Sequence, residues 1–493
     1  MTNILHQNPT LFQVNTRVML TELTKQLGRS ATLDDIPDSF LDDLAQRGMA
    51  WVYFLSVWQT GEAGRQISRN HPGWKKGFQR DIPDLTDEDI CGSGFAITDY
   101  QLHSHFGEPD ALLRLKKRIN SRGMKLMLDL VPNHTAIDHG WATTNPEYFI
   151  HADEDAIARA RQNFIEVNGR ILAHGRDPYF DGWPDTLQLN YGNPDFRKAM
   201  VAEISRIATV CDGLRCDMAM LVLPDVFMRT WGEQIEPFWS DAIATIRKEH
   251  PDFVFMAEVY WDREYDLQQL GFDFTYDKRL YDRLRVGETR PVREHFLADR
   301  EYQQRSARFL ENHDEPRAAG TFDLEKHKAA AILTFLSPGL RFLHQGQFEG
   351  YRKKVSVHVS RKPTEQEDPQ VAAFYKLVTE CLKLPVVHEG EWQLLDCTPA
   401  WDGNWTWDSF IAFSWTNYTT SDQLIAIVNY SDHHSQCYVD VPPVEYVTPQ
   451  KSYLHLMLAD SGNTRALQSL DATNTENKLF VDFPPCGFEV FRR

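Results

Sequence analysis

The feature that most constrains the fold is an alternation between short apolar, β-branched runs and longer segments with helical periodicity. Such alternation is typical of β–α–β units, which build a parallel sheet covered by helices. Two of the runs, KLMLDLV and FVFMAEV, are almost continuously hydrophobic, as expected of strands buried on both faces. The predicted strands, about eight in number, are 50–57, 95–98, 125–131, 213–217, 253–258, 272–275, 308–311 and 340–343.

A closed (β/α)8 barrel, in the α/β class, fits this pattern better than an open parallel sheet, because polar residues stand at the strand ends. The stretch between the third and fourth predicted strands is far longer than one barrel unit needs, which predicts an insertion. After about Leu384 the pattern changes to short alternating strands with turn signals, which predicts an antiparallel β-sandwich domain. The predicted domains are the barrel's first part over 1–134, an inserted domain over 135–190, the barrel's second part over 191–384 and a C-terminal β domain over 385–493.

The charge balance and the apolar runs restrict the possible partners. The chain has 52 Lys and Arg against 70 Asp and Glu, a net charge of −18, which repels nucleic acids and anionic membrane surfaces. Its longest apolar run, 329–336, is far shorter than the roughly 20 residues that cross a bilayer. The N-terminal segment lacks the pattern of a secretory signal, and the seven cysteines show no CxxC spacing. We therefore expect a cytoplasmic protein with reduced thiols and no nucleic-acid or membrane partner; its oligomeric state stays open.

Three acidic residues stand at the carboxyl ends of predicted strands. Asp217 ends GLRCD, Glu258 ends FVFMAE, and Asp314 follows FLENH. In a barrel these strand ends meet at one mouth. Repulsion and burial should raise the pKa of at least one acid above its usual value of about 4, so that one acid is ionised while another keeps its proton. Cleavage of a glycosidic bond needs this pair, a carboxylate nucleophile and a carboxylic acid that protonates the leaving oxygen.

Each acid taken singly is weak evidence, since an acidic residue at a strand end is more often a solvated loop residue or a helix cap. Two neighbours strengthen the case. Arg215 shares a strand face with Asp217, and His313 stands beside Asp314. The guanidinium is expected to contact Asp217 and keep it ionised.

These segments resemble the conserved regions of the α-amylase family, glycoside hydrolase family 13. DLVPNHT (129–135), GLRCD (213–217), the Glu of MAEV (256–259) and FLENHDE (309–315) look like the first to fourth regions. LQLNYGNP (187–194) resembles the motif that closes the family's inserted domain B. The resemblance covers most of the chain and implies a barrel enzyme that acts on α-glucosidic bonds with retention of configuration.

The resemblance also implies catalytic roles. Asp217 would be the nucleophile that forms a glycosyl ester, and Glu258 the acid that then becomes the base activating water. Asp314 would stabilise the distorted sugar in the transition state. Arg215 would orient Asp217.

Further residues would bind the sugar. His134 and His313 would donate hydrogen bonds to its hydroxyl groups. Either Phe95, at a position where the family has Tyr, or Tyr100 would stack under the ring. Asp129 is expected to fix Arg215 or a loop rather than touch the sugar.

Two departures from the family pattern concern the acceptor side and the metal. Met220 and Leu221 stand where well-known amylases have polar residues, which is expected to alter the acceptor subsites. Leu221 cannot bind a hard cation, although Asn133 matches a calcium-binding position of the family. No cofactor is therefore expected to be required and no metal site is predicted; a structural calcium ion stays possible.

The expected function is hydrolysis of α-1,4 bonds in α-glucans or maltooligosaccharides. The alternative is a transglycosylase or isomerase, of the glucanotransferase or trehalose-synthase type, which uses the same acids. A non-catalytic binding relative is disfavoured because all three acids are present. The long segment 58–90 is expected to close one end of the cleft. A blocked cleft would favour cleavage at chain ends, and an open groove would favour cleavage of internal bonds.

Overall fold

The computed structural model of the protein describes residues 7–443, 452–459, 468–470 and 478–493. Its centre is a closed barrel of eight parallel strands, in which every strand pairs with its neighbours in the chain and the first closes against the last. The strands are β1 (Thr10–Asn15), β2 (Trp51–Leu55), β3 (Lys125–Leu130), β4 (Gly213–Cys216), β5 (Val254–Ala257), β6 (Phe274–Tyr276), β7 (Ser306–Arg308) and β8 (Leu340–His344).

The closed barrel confirms the predicted fold class. One of its eight strands, however, differs from the prediction. The prediction lacks β1, whose buried Thr10, Gln13 and Asn15 interrupt the hydrophobic pattern. These polar side chains make specific bonds instead of facing solvent; Asn15, for example, caps the first helix by accepting from the Val18 N–H. The predicted strand at 95–98 is wrong as a barrel strand, because Ile97–Leu102 pairs antiparallel with Trp58–Thr60 outside the barrel.

Helices surround the barrel, and many of them bury one apolar face. In Ala111–Asn120, for example, the buried residues are Ala111, Leu112, Leu115 and Ile119, which share one face at the helical period. The helices that follow or precede barrel strands are Thr16–Leu27, Asp38–Gln46, Ala111–Asn120, Pro194–Ala208, Pro224–Trp231, Trp239–Glu249, Glu264–Gln269, Lys278–Val286, Thr289–His295, Arg300–Gln304, Ala318–Thr321, Leu324–Phe335, Pro369–Leu382 and Val386–Glu389.

Two insertions rise from the carboxyl ends of β2 and β3. The first contains the antiparallel pair Trp58–Thr60 and Ile97–Leu102, with two helices between them. The second begins and ends on the antiparallel pair His134–Ala136 and Thr186–Gln188. The helices of the first are Glu62–Asn70 and Pro72–Asp81; the second also contains the helices Trp141–Thr144 and Glu154–Ala160 and the hairpin Phe164–Val167 and Arg170–Ala173.

The C-terminal part forms two antiparallel sheets that face each other. Phe410, Ala412 and Ile427 of the larger sheet share a buried cluster with Cys437 and Val481 of the smaller one. The alternate residues of the same central strands pack against the barrel, so these central strands are buried on both faces. The larger sheet contains, in spatial order, Glu391–Leu395, Phe410–Asn417, Asp422–Asn429, Phe488–Arg492, Ser452–Ala459 and Gln468–Leu470, and the smaller one Cys397–Thr398, Ser435–Asp440 and Lys478–Phe483.

Parts of the predicted C-terminal domain, 444–451, 460–467 and 471–477, lie outside the described residues. The domain limits at 134, 190 and 384 stay a prediction. All seven cysteines are described and none is in a disulfide. No helix in the described ranges has the length and apolar character needed to span a membrane.

Candidate active site

Asp217 and Glu258 stand side by side on the barrel rim because the ladder between β4 and β5 continues past the last strand residues. The Glu258 N–H donates to the Cys216 carbonyl at 3.0 Å, and the Asp217 N–H donates to the Leu130 carbonyl of β3 at 2.8 Å. The two acids therefore follow adjacent strands at the same height on the barrel rim. Strand alternation places Arg215 on the same face as Asp217.

The Arg215 guanidinium contacts all three acids. Its Nη1 lies 2.6 Å from Asp217 Oδ1, and its Nη2 lies 2.7 Å from Glu258 Oε2 and 3.8 Å from Asp314 Oδ2. Nε donates to the Tyr276 hydroxyl at 3.1 Å, and the guanidinium is fully buried. The charge of Arg215 is thus shared by three carboxylates. The resulting excess of negative charge favours retention of a proton by one of the three acids.

Glu258 has two further donors. The Met218 N–H donates to Oε2 and the Tyr260 hydroxyl donates to Oε1, both at 2.8 Å. Met218 has a φ of 41°, in the left-handed region that residues with side chains rarely adopt. Backbone strain of this kind occurs where a functional geometry is held by the surrounding structure.

Asp314 is the most open of the three acids, with 42% of its side chain exposed. His313 Nε2 lies 2.9 Å from its Oδ2. The Gln13 amide of β1 lies 2.9 Å from the other ring nitrogen of His313 and fixes the ring. The Phe95 ring stacks on His313 with centroids 5.2 Å apart and lies 5.3 Å from the Arg215 guanidinium.

The pKa values of Asp217 and Asp314 are displaced in opposite directions. Burial raises the pKa of Asp217 well above its usual value, the Glu258 charge adds to this, and Arg215 offsets only part of it. Burial would also raise the pKa of Asp314, but His313 and Arg215 outweigh it and hold that pKa below its usual value. Arg215 contacts Asp217 as expected, but because it also lies near Glu258 and Asp314 its charge offsets only part of the effect of burial on the pKa of Asp217.

The acids open into a cavity of about 300 Å³. Five predicted site residues line it: Asp217, Glu258, Asp314, His134 and Phe95. Arg215 and His313 are buried behind them, in contact with the acids. His134 reaches the cavity because Gly175 leaves room beside it; a Cβ there would lie 2.7 Å from the His134 Cβ.

Tyr100 is not among the residues lining this cavity, which corrects one of the two expected stacking residues. Its ring packs edge-on against Trp58 with centroids 5.7 Å apart, and it is buried. Its hydroxyl donates to the Val131 carbonyl at 3.0 Å and accepts from the Val131 N–H at 2.9 Å. Tyr100 therefore fixes the end of β3, and of the two residues expected to stack under the sugar only Phe95 lines the cavity.

Comparison with known proteins identifies the family. A family model described as the alpha amylase catalytic domain matches residues 82–377, more than half of the chain. The chain belongs to the α-amylase family. Its fold is that of solved family structures: the maltogenic alpha-amylase AmyB from Thermotoga neapolitana superposes with a TM-score of 0.69 at 18% identity, covering 99% of this chain and 98% of that one.

Curated relatives of this α-amylase-family chain are distant. Alpha-amylase 3 of Dictyoglomus thermophilum is 23% identical over 303 residues, which cover 57% of this chain and 58% of that protein. Trehalose synthase/amylase TreS of Mycolicibacterium smegmatis is 24% identical over 354 residues, which cover 63% of this chain and 56% of that protein. The chain thus spans about half the length of the curated relatives it matches.

Asp129, from the first family motif, bonds to residues of β2 and of the segment that follows it. The Tyr53 hydroxyl donates to its Oδ1, and the Ser56 N–H donates to its Oδ2 at 2.6 Å. The Trp58 indole donates to its carbonyl oxygen at 2.7 Å. Burial raises the pKa of Asp129, while the Arg215 charge acts in the opposite direction. Asp129 therefore anchors the chain that follows β2.

The two departures from the family pattern have different outcomes. Met220 and Leu221 are buried, 0% and 3% exposed, and do not line the cavity, whereas Met218 does. The pair therefore does not contact this cavity, and its effect on acceptor subsites stays a prediction. At the calcium-binding position, the Asn133 side-chain oxygen accepts from the Gln188 amide at 3.0 Å. Two neutral amides offer a divalent cation no negative charge.

Other cavity residues were missed by sequence reasoning. Met218 and Tyr260 follow the two acids by one and two positions, so their adjacency was an available signal. The others come from the insertions and from the loop after β8, where no motif marks them. They are Trp74, Ser93, Trp183, Asp185, Thr186 and His358.

Proposed function

We propose that this α-amylase-family chain is a retaining α-glycoside hydrolase that cleaves α-1,4-glucosidic bonds of α-glucans or maltooligosaccharides through a covalent glycosyl–Asp217 intermediate. The observation that carries the proposal is the single guanidinium that bonds Asp217 through one terminal nitrogen and Glu258 through the other. This bridge supports the short carboxyl separation of retaining enzymes, about 5–5.5 Å, rather than the roughly 6.5–9.5 Å of inverting ones.

In the first step, Asp217 attacks the anomeric carbon while Glu258 gives its proton to the glycosidic oxygen. The bond from carbon to the leaving oxygen breaks, a glycosyl ester forms, and the leaving sugar departs as an alcohol. Glu258 Oε2 accepts from the Met218 N–H and is ion-paired with Arg215 Nη2 at 2.7 Å, so the transferable proton belongs on Oε1. There the Tyr260 hydroxyl is able to turn from donor to acceptor.

In the second step, Glu258 takes a proton from water, and the resulting nucleophile attacks the same carbon. The ester bond to Asp217 breaks and its carboxylate is restored. Two displacements on opposite faces of the sugar retain its configuration. The short chain of donors around Glu258 fixes its position through both steps.

The other site residues hold the sugar between the two acids. Asp314, held ionised by His313, accepts hydrogen bonds from hydroxyl groups of the sugar, and His134 lines the cavity beside them. Burial lowers the pKa of His134 to about 4, so at neutral pH it is an uncharged hydrogen-bonding group. Phe95 offers an apolar surface beside His313. Interactions with hydroxyl groups that strengthen as the ring flattens favour the transition state over the bound substrate.

A second candidate is an α-glucosyl transglycosylase or isomerase that uses the same acids. The observation that favours it is Met218, whose side chain lines the cavity next to Glu258 where water or an acceptor sugar would enter. The trehalose synthase/amylase relative supports this alternative. Incubation with maltotriose separates the two, because longer oligosaccharides or trehalose appear only when a sugar is the acceptor.

For the chain's surroundings, we propose a cytoplasmic protein that needs no metal ion. The seven unpaired cysteines support a reducing compartment. The amide pair of Asn133 and Gln188 supports independence from calcium. The net charge of −18 supports the absence of nucleic-acid and membrane partners.

The test is a product analysis on maltooligosaccharides, starch, pullulan, sucrose and trehalose, with the anomeric form of the first product read by NMR before mutarotation. The proposal expects cleavage of the maltooligosaccharides with the α-anomer as first product. An initial β-anomer would contradict the retaining mechanism, and inertness toward every α-glucoside would contradict the function itself.

A further inference from the structure

Two loops that pack against each other form part of the cavity lining, which we call the wall. Trp74 from the insertion after β2 packs against His358 from the loop after β8, with ring centroids 4.6 Å apart, and both line the cavity. His71 stacks on Trp74 at 4.3 Å, and the Ser68 hydroxyl lies 2.9 Å from a ring nitrogen of His358. The Cys91 N–H donates to the His358 carbonyl at 2.9 Å. These contacts hold the two loops together.

The position of this wall follows from the strand order. Strands β8, β1, β2 and β3 are contiguous in the barrel, and the wall arises from the segments that follow β8, β2 and β3. Glu258 follows β5 on the other side, where Met218 and Tyr260 border it. A sugar whose glycosidic oxygen faces Glu258 therefore extends its remaining ring toward the wall.

Asp185 is part of this wall and has an unusual environment. It precedes Thr186–Gln188, lines the cavity and is only 3% exposed. It packs against the insertion after β2, where a Cβ built on Gly64 would lie in ordinary van der Waals contact with the Asp185 Cβ, at 3.8 Å. Among the residues that the structure describes, its Oδ2 has no hydrogen-bond partner.

An uncompensated buried carboxylate is costly to the folded state. Burial raises the pKa of Asp185 to about 6, so the group is largely ionised at neutral pH and acts only as an acceptor. A hydroxyl group of a bound sugar is a donor of the required kind, and its hydrogen bond to an ionised acceptor is a strong one. The cavity, at about 300 Å³, lies at the lower end of the roughly 300–1,000 Å³ of small-molecule sites.

We infer that Asp185 binds hydroxyl groups of the terminal, non-reducing glucose residue, and that the wall beyond it restricts cleavage to chain ends and short saccharides. This inference rests on the proposed function, since it takes Asp217 and Glu258 as the cleaving pair. Asp185 thereby becomes a substrate-binding residue that sets where along the chain the bond is cut.

A first experiment tests the wall. Maltopentaose is compared with maltopentaose whose terminal 4- and 6-hydroxyl groups carry an ethylidene block. The expected result is glucose as the first small product of the open sugar and a loss of kcat/KM of about 100-fold or more on the blocked one, since strong hydrogen bonds to a charged acceptor are lost. Equal turnover of the two sugars would overturn the inference.

A second experiment tests the side chain. Asp185→Asn and the control Asp181→Asn, an exposed residue of the same segment, are assayed on 4-nitrophenyl α-glucoside and its 3-, 4- and 6-deoxy analogues. The expected result is a fall in kcat/KM of about 10- to 100-fold for Asp185→Asn and none for the control. The wild type should be less active on the analogue that lacks the contacted hydroxyl group. Asp185→Asn should show no comparable further loss on that analogue, because the contact is already absent. Independent losses for every hydroxyl would overturn the assignment.

The outcomes separate the two proposals. If the wild type cleaves no α-glucoside, the proposed function fails; if it does and Asp185→Asn behaves like the control, only the inference fails. Stability gives a further readout. Folding raises the pKa of Asp185 from about 3.9 to about 6. The folded state therefore loses stability as the pH rises from about 3.9 to about 6, because the buried carboxyl group becomes charged, and the loss is complete above that range. Asp185→Asn should therefore raise the melting temperature at pH 8 but not at pH 4; a decrease at pH 8 would indicate a structural role and overturn the inference.

Discussion

Two buried acids on the barrel, Asp277 after β6 and Asp217 after β4, have opposite electrostatic environments. Asp277 Oδ2 lies 2.8 Å from His295 Nε2 and 3.0 Å from Arg308 Nε, and its Oδ1 accepts from the Leu280 N–H at 3.0 Å. Asp217 has only part of one guanidinium, which Glu258 also bonds. Burial would raise the pKa of both, but His295 and Arg308 outweigh it at Asp277 and lower that pKa, whereas the pKa of Asp217 is raised.

The difference shows how the number of cations for each carboxylate distinguishes a structural acid from the acid that we propose as the nucleophile. At Asp277 every oxygen has a partner, and the acid also caps the helix Lys278–Val286. At Asp217 the surplus of negative charge keeps a proton within the site, as acid–base chemistry requires. Predictions that compare the two acids should therefore separate stability from activity.

The largest expected effect is that of Asp217→Asn on turnover. The amide cannot form the glycosyl ester, so kcat on maltotriose should fall by about 10⁴-fold or more. Calorimetric titration should still detect maltotriose binding. The substitution removes a surplus negative charge, so the free energy of unfolding should stay the same or rise. Near-normal kcat would refute Asp217 as the nucleophile.

Glu258→Gln should impair the natural substrate more than an activated one. Loss of a general acid costs about 10²- to 10⁴-fold, and this loss should appear with maltotriose, whose leaving alcohol needs a proton. With 2,4-dinitrophenyl α-glucoside the formation of the intermediate should be much less affected, as burst kinetics would show. Tyr260→Phe serves as the matched control, since it removes a donor to Glu258 but leaves the acid itself. Equal losses on both substrates would count against the acid role.

Asp277→Asn should have the reverse profile, a loss of stability with little change in kcat per folded molecule. Removing one partner of a buried ion pair costs about 3–5 kcal/mol, measurable by urea unfolding. Because folding lowers the pKa of Asp277, its contribution is present above pH 4 and is lost as the pH falls below that value. The difference between wild type and variant should therefore shrink at low pH, and a constant difference would contradict the ion-pair explanation.

The pH dependence of kcat/KM tests the raised pKa of Asp217. The nucleophile must be ionised, so activity should fall as the pH drops through a value above the ordinary aspartate pKa of about 4. The direction follows from burial and the Glu258 charge. A kcat/KM profile that stays flat down to pH 4 in a folded enzyme, checked by circular dichroism, would show that Arg215 compensates Asp217 as fully as Arg308 and His295 compensate Asp277.

The smallest expected effect is that of chelation. Asn133 and Gln188 form a neutral amide pair at the family's calcium position, so EDTA should change neither kcat nor the melting temperature. Dialysis against EDTA followed by calcium addition provides the measurement. A fall in melting temperature that calcium reverses would place a structural ion in the protein and contradict the proposal.

Sequence motifs predicted the acids but not their supporting contacts. The segments GLRCD and FLENHDE contain residues whose chemistry and strand-end position mark them without any structure. Gln13, which fixes His313 from 300 residues away, is absent from the prediction because β1 was absent from it. Tyr100 and Phe95 stand five positions apart, and only packing decided which ring faces the acids.

The sequence by itself determined the barrel, the three acids at its mouth and the family to which the chain belongs, because strand periodicity and motif residues are local properties. Tertiary structure decided how charge is distributed among those acids, that Asp185 lies buried without a partner for its Oδ2 among the described residues, and that Trp74 meets His358 to form a wall. The physical reason is distance along the chain. Electrostatic and packing energies depend on spatial neighbours, and these neighbours come from segments that no local pattern connects.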